Sequence, residues 1–190
     1  KTTIHWFRRD LRIKDNTALY HALSQNNNVQ CIFIFDENII DELPKNDHRI
    51  SFIYDSLLKL NNELNKYGSA LKIYKGKPID IFKKIITKYD IDYIYFNKDY
   101  EPYAISRDNQ IKELLNNKIG LKTFKDHVVF EETEITKDDG KPYTIYTPYS
   151  KKWLKKFHET EIKEYNVDPF LKNLKKNKFL NILSRKDLDL

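Results

Sequence analysis

The chain has 190 residues and a net charge of +6, and 40% of its residues are hydrophobic. This composition argues against a disordered chain, and no apolar run reaches the roughly 18 residues of a membrane span. With a single cysteine, Cys31, and no signal peptide at the start, we expect a cytoplasmic protein with no membrane partner. The positive charge permits an anionic partner but identifies none.

Apolar runs and segments with helical spacing alternate along the chain. The runs predict strands at residues 2–7, 29–36, 70–76, 91–97 and 121–130. Helices are predicted at residues 17–23, 49–68, 78–90 and 104–120, with Gly68 and Gly120 as C-terminal caps of two of them.

This strict alternation predicts a parallel sheet with right-handed crossovers. The predicted fold class is α/β: a Rossmann-like doubly wound five-stranded parallel sheet with helices on both faces, over residues 1–130. Residues 131–166 are expected to close the same domain with a hairpin or loop and a helix.

A ligand site is expected beyond the carboxyl ends of the strands, because open parallel sheets place their sites there. Three stretches that follow strands carry cations, carboxylates and aromatic rings. The candidate cofactor-binding residues are Phe7, Arg8, Arg9, Phe35, Asp36, Arg49, Asp99, Tyr100 and Glu101. This mixture suits a planar, polar heteroaromatic ligand with an anionic tail. No Gly-rich fingerprint is present, which argues against ordinary dinucleotide binding.

Four residues of the first loop are assigned structural roles instead. Asp15 and Asn16 are predicted to cap the first helix. Asp10 and Arg12 are predicted to tie the loop to neighbouring groups. The sequence shows neither a His/Cys/Asp cluster with metal-ligand spacing nor a Ser-His-Asp or Cys-His set, so no metal site and no catalytic residue is predicted.

Five blocks of the sequence resemble the DNA photolyase/cryptochrome family. They are WFRRDLRIKDNTAL, FIFDENII, RISFIYDSLLKLNNEL, YIYFNKDYEPYAISRD and GKPYTIYTPYSKKWLK. The blocks follow the family's order over about Thr2–Leu154, and the first and last are the most specific. The resemblance implies the N-terminal antenna domain, most similar to that of a bacterial deoxyribodipyrimidine photolyase.

The resemblance also implies partners. In photolyases this α/β domain holds a light-harvesting chromophore, while a following helical domain binds FAD and the damaged DNA. We therefore expect an antenna domain whose partner, the C-terminal FAD-binding domain, is absent from these 190 residues. The chain alone is then expected to have no repair activity, and damaged DNA is the partner of the full-length protein.

The resemblance also implies that residues 167–190 form a basic interdomain linker. Its apolar residues are then expected to contact the absent domain and to have no partner within this chain. They are Phe170, Leu171, Leu174, Phe179, Leu180 and Leu183.

The antenna chromophore is predicted from a departure from the family pattern. Folate-binding members carry an Asn-Glu pair after the fourth strand, where this sequence has Tyr103 and Ala104. The difference argues against methenyltetrahydrofolate and favours a deazaflavin or a flavin.

For such a ligand, the resemblance implies three kinds of contact. Asp99 and Glu101 bond the edge of the chromophore, and Arg9 and Arg49 contact its phosphate or ribityl chain. Either Phe7 or Phe35 packs on its ring.

Two alternatives stay open. A cryptochrome has the same domain with a signalling output, and the first 190 residues do not separate it from a photolyase. A nucleotide-binding module of the universal-stress type would need a Gly-rich phosphate loop late in the chain. The four glycines, Gly68, Gly76, Gly120 and Gly140, form no such loop.

Overall fold

The computed structural model describes residues 1–44, 47–177, 184–186 and 188. The strands within these ranges are β1 (Thr2–Phe7), β2 (Val29–Asp36), β3 (Lys72–Gly76), β4 (Ile91–Asn97) and β5 (Gly120–Phe124). The helices are α1 (Thr17–Gln25), α2 (Glu37–Ile40), α3 (His48–Asn65), α4 (Pro78–Lys88), α5 (Pro102–Leu115) and α6 (Tyr146–Glu159), followed by a 3₁₀ helix at Asp168–Asn173. None of the helices in these ranges has the length and apolar character needed to cross a bilayer.

The five strands form one parallel sheet in the order β3-β2-β1-β4-β5. The chain therefore starts in the centre, winds outward to β3, and returns to the other side of β1. This is the doubly wound sheet that the alternating pattern predicts. The reversal of strand order lies between β1 and β4, so the loops after these two strands part there and leave room for a ligand.

Both faces of the sheet are covered, and side chains alternate between two cores. In β2, Cys31 and Phe33 point to the core shared with α1 and α3, while Ile32 and Ile34 point to the core shared with α4 and α5. Every residue of β2 is buried, as expected for a strand covered on both faces.

Helix α5 ends earlier than predicted. Asn116 takes a left-handed conformation (φ 43°) at the C-terminal end, so the helix stops at Leu115 and not at Gly120. Gly120 instead begins β5, where a Cβ atom would lie 2.2 Å from the Tyr93 ring. Glycine is needed here for close approach to a neighbouring strand.

The segment after α6 packs against the domain. Leu171 and Leu174 are buried in the core that α1 and α3 cover, and Phe170 packs against it. The backbone N–H of Lys175 donates to the carbonyl of Val29 at 2.8 Å. The expectation that this segment has no partner within the chain is therefore wrong for these three apolar residues, because α1 and β2 leave apolar surface for them to cover.

Three further apolar residues of the segment, Phe179, Leu180 and Leu183, lie outside the described residues. The assignment of residues 167–190 as an interdomain linker stays a prediction, as does the division at residues 130 and 166.

His5 is buried in the middle of β1. Its ring lies edge-on to Phe7, with centroids 4.3 Å apart. Neither ring nitrogen has a hydrogen-bond partner among the described residues. Because burial disfavours the charged imidazolium, the pKa of His5 falls from 6.5 to about 4.

This burial predicts acid sensitivity. The unfolded chain takes up a proton at His5 below about pH 6.5, whereas the folded chain resists it down to about pH 4. The contribution of His5 to the free energy of unfolding is complete above its unfolded pKa. It is lost as the pH falls, by about 3 kcal/mol between pH 7 and pH 4. Urea unfolding at both pH values should show this loss in the wild type and not in His5→Phe.

The exposed His158 provides the control. His158→Gln should keep the wild-type difference between the two pH values. An equal acid loss in His5→Phe and in the wild type would show that other groups cause it.

Candidate functional site

A cavity of about 400 Å³ opens at the carboxyl ends of β1 and β2. Its walls come from the ends of these strands, from α2, from the start of α3, and from the loop and first turns of α5. A site at this edge of the sheet, near the reversal of strand order, follows the rule for doubly wound folds. The volume lies in the range of small-molecule sites.

The structure brings together most of the predicted candidates. The cavity is lined by Phe7, Arg8, Arg9, Phe35, Asp36, Arg49, Asp99 and Glu101. Tyr100 lies outside it and lines a second cavity of about 390 Å³. There the Tyr100 hydroxyl donates to Glu131 at 3.0 Å, and burial, together with this hydrogen bond, raises the pKa of Tyr100.

The two phenylalanine candidates lie within the wall of the cavity and expose little surface to a ligand. Phe7 and Phe35 are both almost completely buried. The accessible apolar lining comes from side chains that sequence reasoning did not select, above all Ile39, which is 44% exposed, and Tyr103. The only signal for Ile39 is its place in the apolar turn that follows β2.

Arg8 lines the cavity, but its charge is paired with a carboxylate inside the domain. Its Nη1 donates to both carboxylate oxygens of Asp108, at 2.7 and 2.9 Å, and Nη2 donates to the Asn97 carbonyl. The guanidinium also lies over the Phe96 ring, 4.4 Å from its centroid. Arg8 therefore ties the end of β1 to α5, and these contacts leave it little capacity for a ligand.

Arg9 lies at the mouth of the cavity. Its Nε is 3.2 Å from Asp99, and its Nη2 is 2.7 Å from Glu101. The resemblance assigned Arg9 to the anionic part of the ligand and the two carboxylates to the chromophore edge. The structure pairs these three groups with one another.

Arg49 is also paired. Its Nη2 donates to Asp47 at 2.6 Å and its Nε donates to the same carboxylate. Asp47 caps α3 by accepting the backbone N–H of Arg49 at 2.8 Å. The side-chain hydrogen bond from Arg49, with this backbone bond, lowers the pKa of Asp47 to about 2.

Asp36 joins the two sides of the cavity. It caps the short α2 by accepting the Asn38 N–H at 3.1 Å. From α5, the Tyr103 hydroxyl donates to it at 2.6 Å, and Arg107 lies 3.9 Å away. Burial and the hydrogen bond to Asp36 raise the pKa of Tyr103, so the phenol stays protonated and keeps donating.

A buried polar network lies behind the cavity. Asp10 accepts the backbone N–H of Arg8 at 2.8 Å and the side-chain amides of Asn16 and Asn97 at 3.0 and 2.6 Å. Asn97 in turn accepts the Ala18 N–H at 2.9 Å. These contacts join the ends of β1 and β4 to the start of α1.

The cap of α1 differs from the prediction. Asn16 accepts the Leu19 N–H at 3.0 Å, as predicted. Asp15 instead takes a left-handed φ of 50° and accepts the Tyr165 N–H at 2.9 Å. The acidic group at the start of α1 is Asp126.

Asp126 accepts from both the backbone N–H and the hydroxyl of Thr17, each at 3.0 Å. Arg12 donates to its other oxygen at 2.9 Å, which ties the first loop to the segment after β5. Sequence reasoning missed Asp126 because it lies 109 residues from the helix it caps. Among the described residues, no group of His, Cys, Asp and Glu could hold a metal ion.

The comparisons with known proteins agree with this geometry. The family model described as DNA photolyase matches residues 3–168, so the chain belongs to the DNA photolyase family. An archaeal photolyase from Sulfolobus tokodaii, whose crystal structure contains two FAD molecules, matches with a TM-score of 0.70 at 29% identity, over 91% of this chain and 41% of that one. A class III photolyase from Agrobacterium tumefaciens shares the fold, with a TM-score of 0.78 at 23% identity, over 96% of this chain and 36% of that one.

Curated relatives are matched over only part of their length. The deoxyribodipyrimidine photo-lyase of a Synechococcus species is 28% identical over 79% of this chain and 31% of that protein. Cryptochrome-2 of Gallus gallus is 35% identical over 59% of this chain and 19% of that protein. The chain therefore spans less than a third of the length of these two relatives.

The two neighbouring arginines should respond differently to removal. The side chain of Arg8 is 7% exposed and that of Arg9 is 57% exposed. Arg8→Ala removes a buried guanidinium with its hydrogen bonds, leaves Asp108 with Arg107 alone, and should lower the free energy of unfolding by about 2 kcal/mol. Arg9→Ala removes a guanidinium that is mostly exposed, so solvent screens its pairs with Asp99 and Glu101, and the free energy of unfolding should change by less than about 1 kcal/mol.

Urea unfolding of the two variants tests this difference, with each variant serving as the control for the other. Equal losses, or a larger loss for Arg9→Ala, would contradict the assignment of Arg8 to the scaffold.

Proposed function

We propose that this chain is the antenna domain of a photolyase and that the cavity between β1, β2, α3 and α5 holds its chromophore. When bound, the chromophore absorbs light and transfers the excitation energy to FAD. The observation that carries the proposal is an apolar cavity with carboxylates on its rim, at the carboxyl ends of the sheet, in a chain of the DNA photolyase family.

The cavity fits a flat tricyclic ring. Its volume of about 400 Å³ suits a flavin-sized heterocycle. Ile39, Ile40 and Ile53 line it with apolar surface for the ring faces. Asp99 and Glu101 lie at the rim and offer acceptor oxygens to N–H groups on a ring edge.

A deazaflavin or flavin is favoured over methenyltetrahydrofolate. Tyr103 stands where folate-binding members have the first residue of the Asn-Glu pair, and its hydroxyl is held by Asp36 across the cavity. Asp36 therefore has less capacity left for a pterin edge. Tyr100, one of the candidate cofactor-binding residues, is not included in this proposal, because its side chain lines the second cavity.

The activity of the whole protein follows from the family as a proposal. A helical domain would bind FAD and damaged DNA, as in photolyases, and the protein would act in the cytoplasm. The 35% identity to Cryptochrome-2 makes a blue-light photoreceptor the second candidate. Family membership leaves no support for a module of the universal-stress type.

The cavity assignment predicts that one substitution blocks binding. Ile39→Asp places a charge on the apolar lining and should weaken the binding of riboflavin, measured by fluorescence quenching, at least about tenfold. Because Ile39 is partly exposed, the thermal midpoint should stay close to the wild-type value.

Ile162 provides a matched control, since it is exposed and does not line the cavity. Ile162→Asp should bind riboflavin like the wild type. Equal affinities in the wild type and Ile39→Asp would show that riboflavin binds elsewhere.

Because the proposal assigns only the antenna chromophore to this domain, the 190-residue chain should not repair DNA. Irradiated with reduced FAD and an oligonucleotide containing a cyclobutane pyrimidine dimer, it should leave the dimer intact, because the proposal assigns FAD and lesion binding to another domain. Chromatography of the oligonucleotide measures this, and light-dependent reversal would contradict the assignment.

A further inference from the structure

All four arginines that line the cavity are paired with carboxylates. Arg8 pairs with Asp108, and Arg49 pairs with Asp47. The remaining pairs are Arg9 with Asp99 and Glu101, and Arg107 with Asp108 and Asp36. No lining guanidinium within the described part of the chain is left free for an anionic ligand.

The carboxylates that pair with the four lining arginines outnumber them. The four lining arginines carry four positive charges, and the carboxylates that pair with them carry five negative ones. Three of these carboxylates, Asp36, Asp99 and Glu101, line the cavity, whereas Asp47 and Asp108 hold their arginines from outside the lining. The most exposed of these carboxylates is Glu101, whose side chain is 61% accessible.

The helix ends around the cavity are acidic as well. Helices α2, α3 and α5 begin there, and their N-cap residues are Asp36, Asp47 and Glu101. The N-terminal end of a helix is the usual backbone site for a phosphate group, because its N–H groups and dipole favour negative charge. Here the Asp36 and Asp47 carboxylates already accept N–H groups of α2 and α3, while the Glu101 carboxylate at the start of α5 pairs with Arg9.

We propose that the cavity selects a chromophore without a phosphate group, and that its rim carboxylates disfavour the phosphorylated form. This inference rests on the proposed function, since it concerns the same cavity. The preferred ligand is a flavin-type ring with a neutral polyol chain, whose hydroxyl groups donate to the rim carboxylates. A phosphate monoester at the same place meets like charge and finds no free guanidinium.

This selectivity differs from the expectation drawn from the sequence. Arg9 and Arg49 were expected to contact a phosphate or ribityl chain. The ion pairs of both guanidinium groups favour the ribityl alternative, because a phosphate would have to replace their carboxylate partners.

A comparison of riboflavin with flavin mononucleotide tests the inference, because the two differ only in the terminal phosphate. Each is titrated into the 190-residue chain at low salt, and flavin fluorescence is followed. Riboflavin should bind at least about tenfold more tightly. The ratio of the two affinities should shrink as salt is added, because exposed charges are screened.

Glu101→Gln tests the source of the selectivity. Removing this exposed charge should reduce the ratio of the riboflavin affinity to the flavin mononucleotide affinity, mainly by improving the binding of flavin mononucleotide. Glu113→Gln is the matched control, because Glu113 is an exposed glutamate of α5 that does not line the cavity. This variant should keep the wild-type ratio.

The outcomes separate the two proposals. Binding of flavin mononucleotide as tight as or tighter than that of riboflavin overturns the selectivity and leaves the antenna site intact. A ratio that neither salt nor Glu101→Gln changes overturns the electrostatic cause. Failure of both flavins to bind overturns the proposed function and this inference with it.

Discussion

The buried carboxylate of Asp10 fixes the arrangement on which the cavity depends. It accepts three hydrogen bonds, from the backbone of Arg8 and from the side chains of Asn16 and Asn97. A buried carboxylate is tolerated only when it is satisfied in this way, because desolvation of an unpaired charge costs far more than one hydrogen bond contributes. The network holds the ends of the two strands at which the strand order reverses, together with the first turn of α1.

This fixed backbone gives the two neighbouring arginines different roles. Arg8 follows β1 directly and extends beneath α5, where Asp108 and two aromatic rings enclose its guanidinium. Arg9 extends to the mouth of the cavity and meets the loop after β4. The same residue type therefore supports the scaffold at one position and borders the candidate ligand site at the next.

Charge pairing within the domain is the basis of the ligand preference proposed for the cavity. Apolar surface on α2 and α3 provides room for a flat ring, whereas the rim groups are engaged with one another before any ligand arrives. A ligand that forms new hydrogen bonds with the rim carboxylates is accommodated without breaking an ion pair. A ligand that brings its own negative charge has to compete with those carboxylates for the arginines.

The sequence by itself determined the alternation of strands and helices, the parallel sheet and the edge of the sheet at which the cavity lies, since these follow from hydrophobic periodicity and chain connectivity. It also placed eight of the nine candidate residues around one cavity. Only the tertiary structure decided the pairing of Arg8 with Asp108, 100 residues away, the cap that Asp126 supplies to α1, and the packing of Leu171 and Leu174 on the core. The physical reason is separation along the sequence. Hydrophobic periodicity is read over a few neighbouring residues, whereas an ion pair forms between whichever charged groups the folded chain brings within about 3 Å.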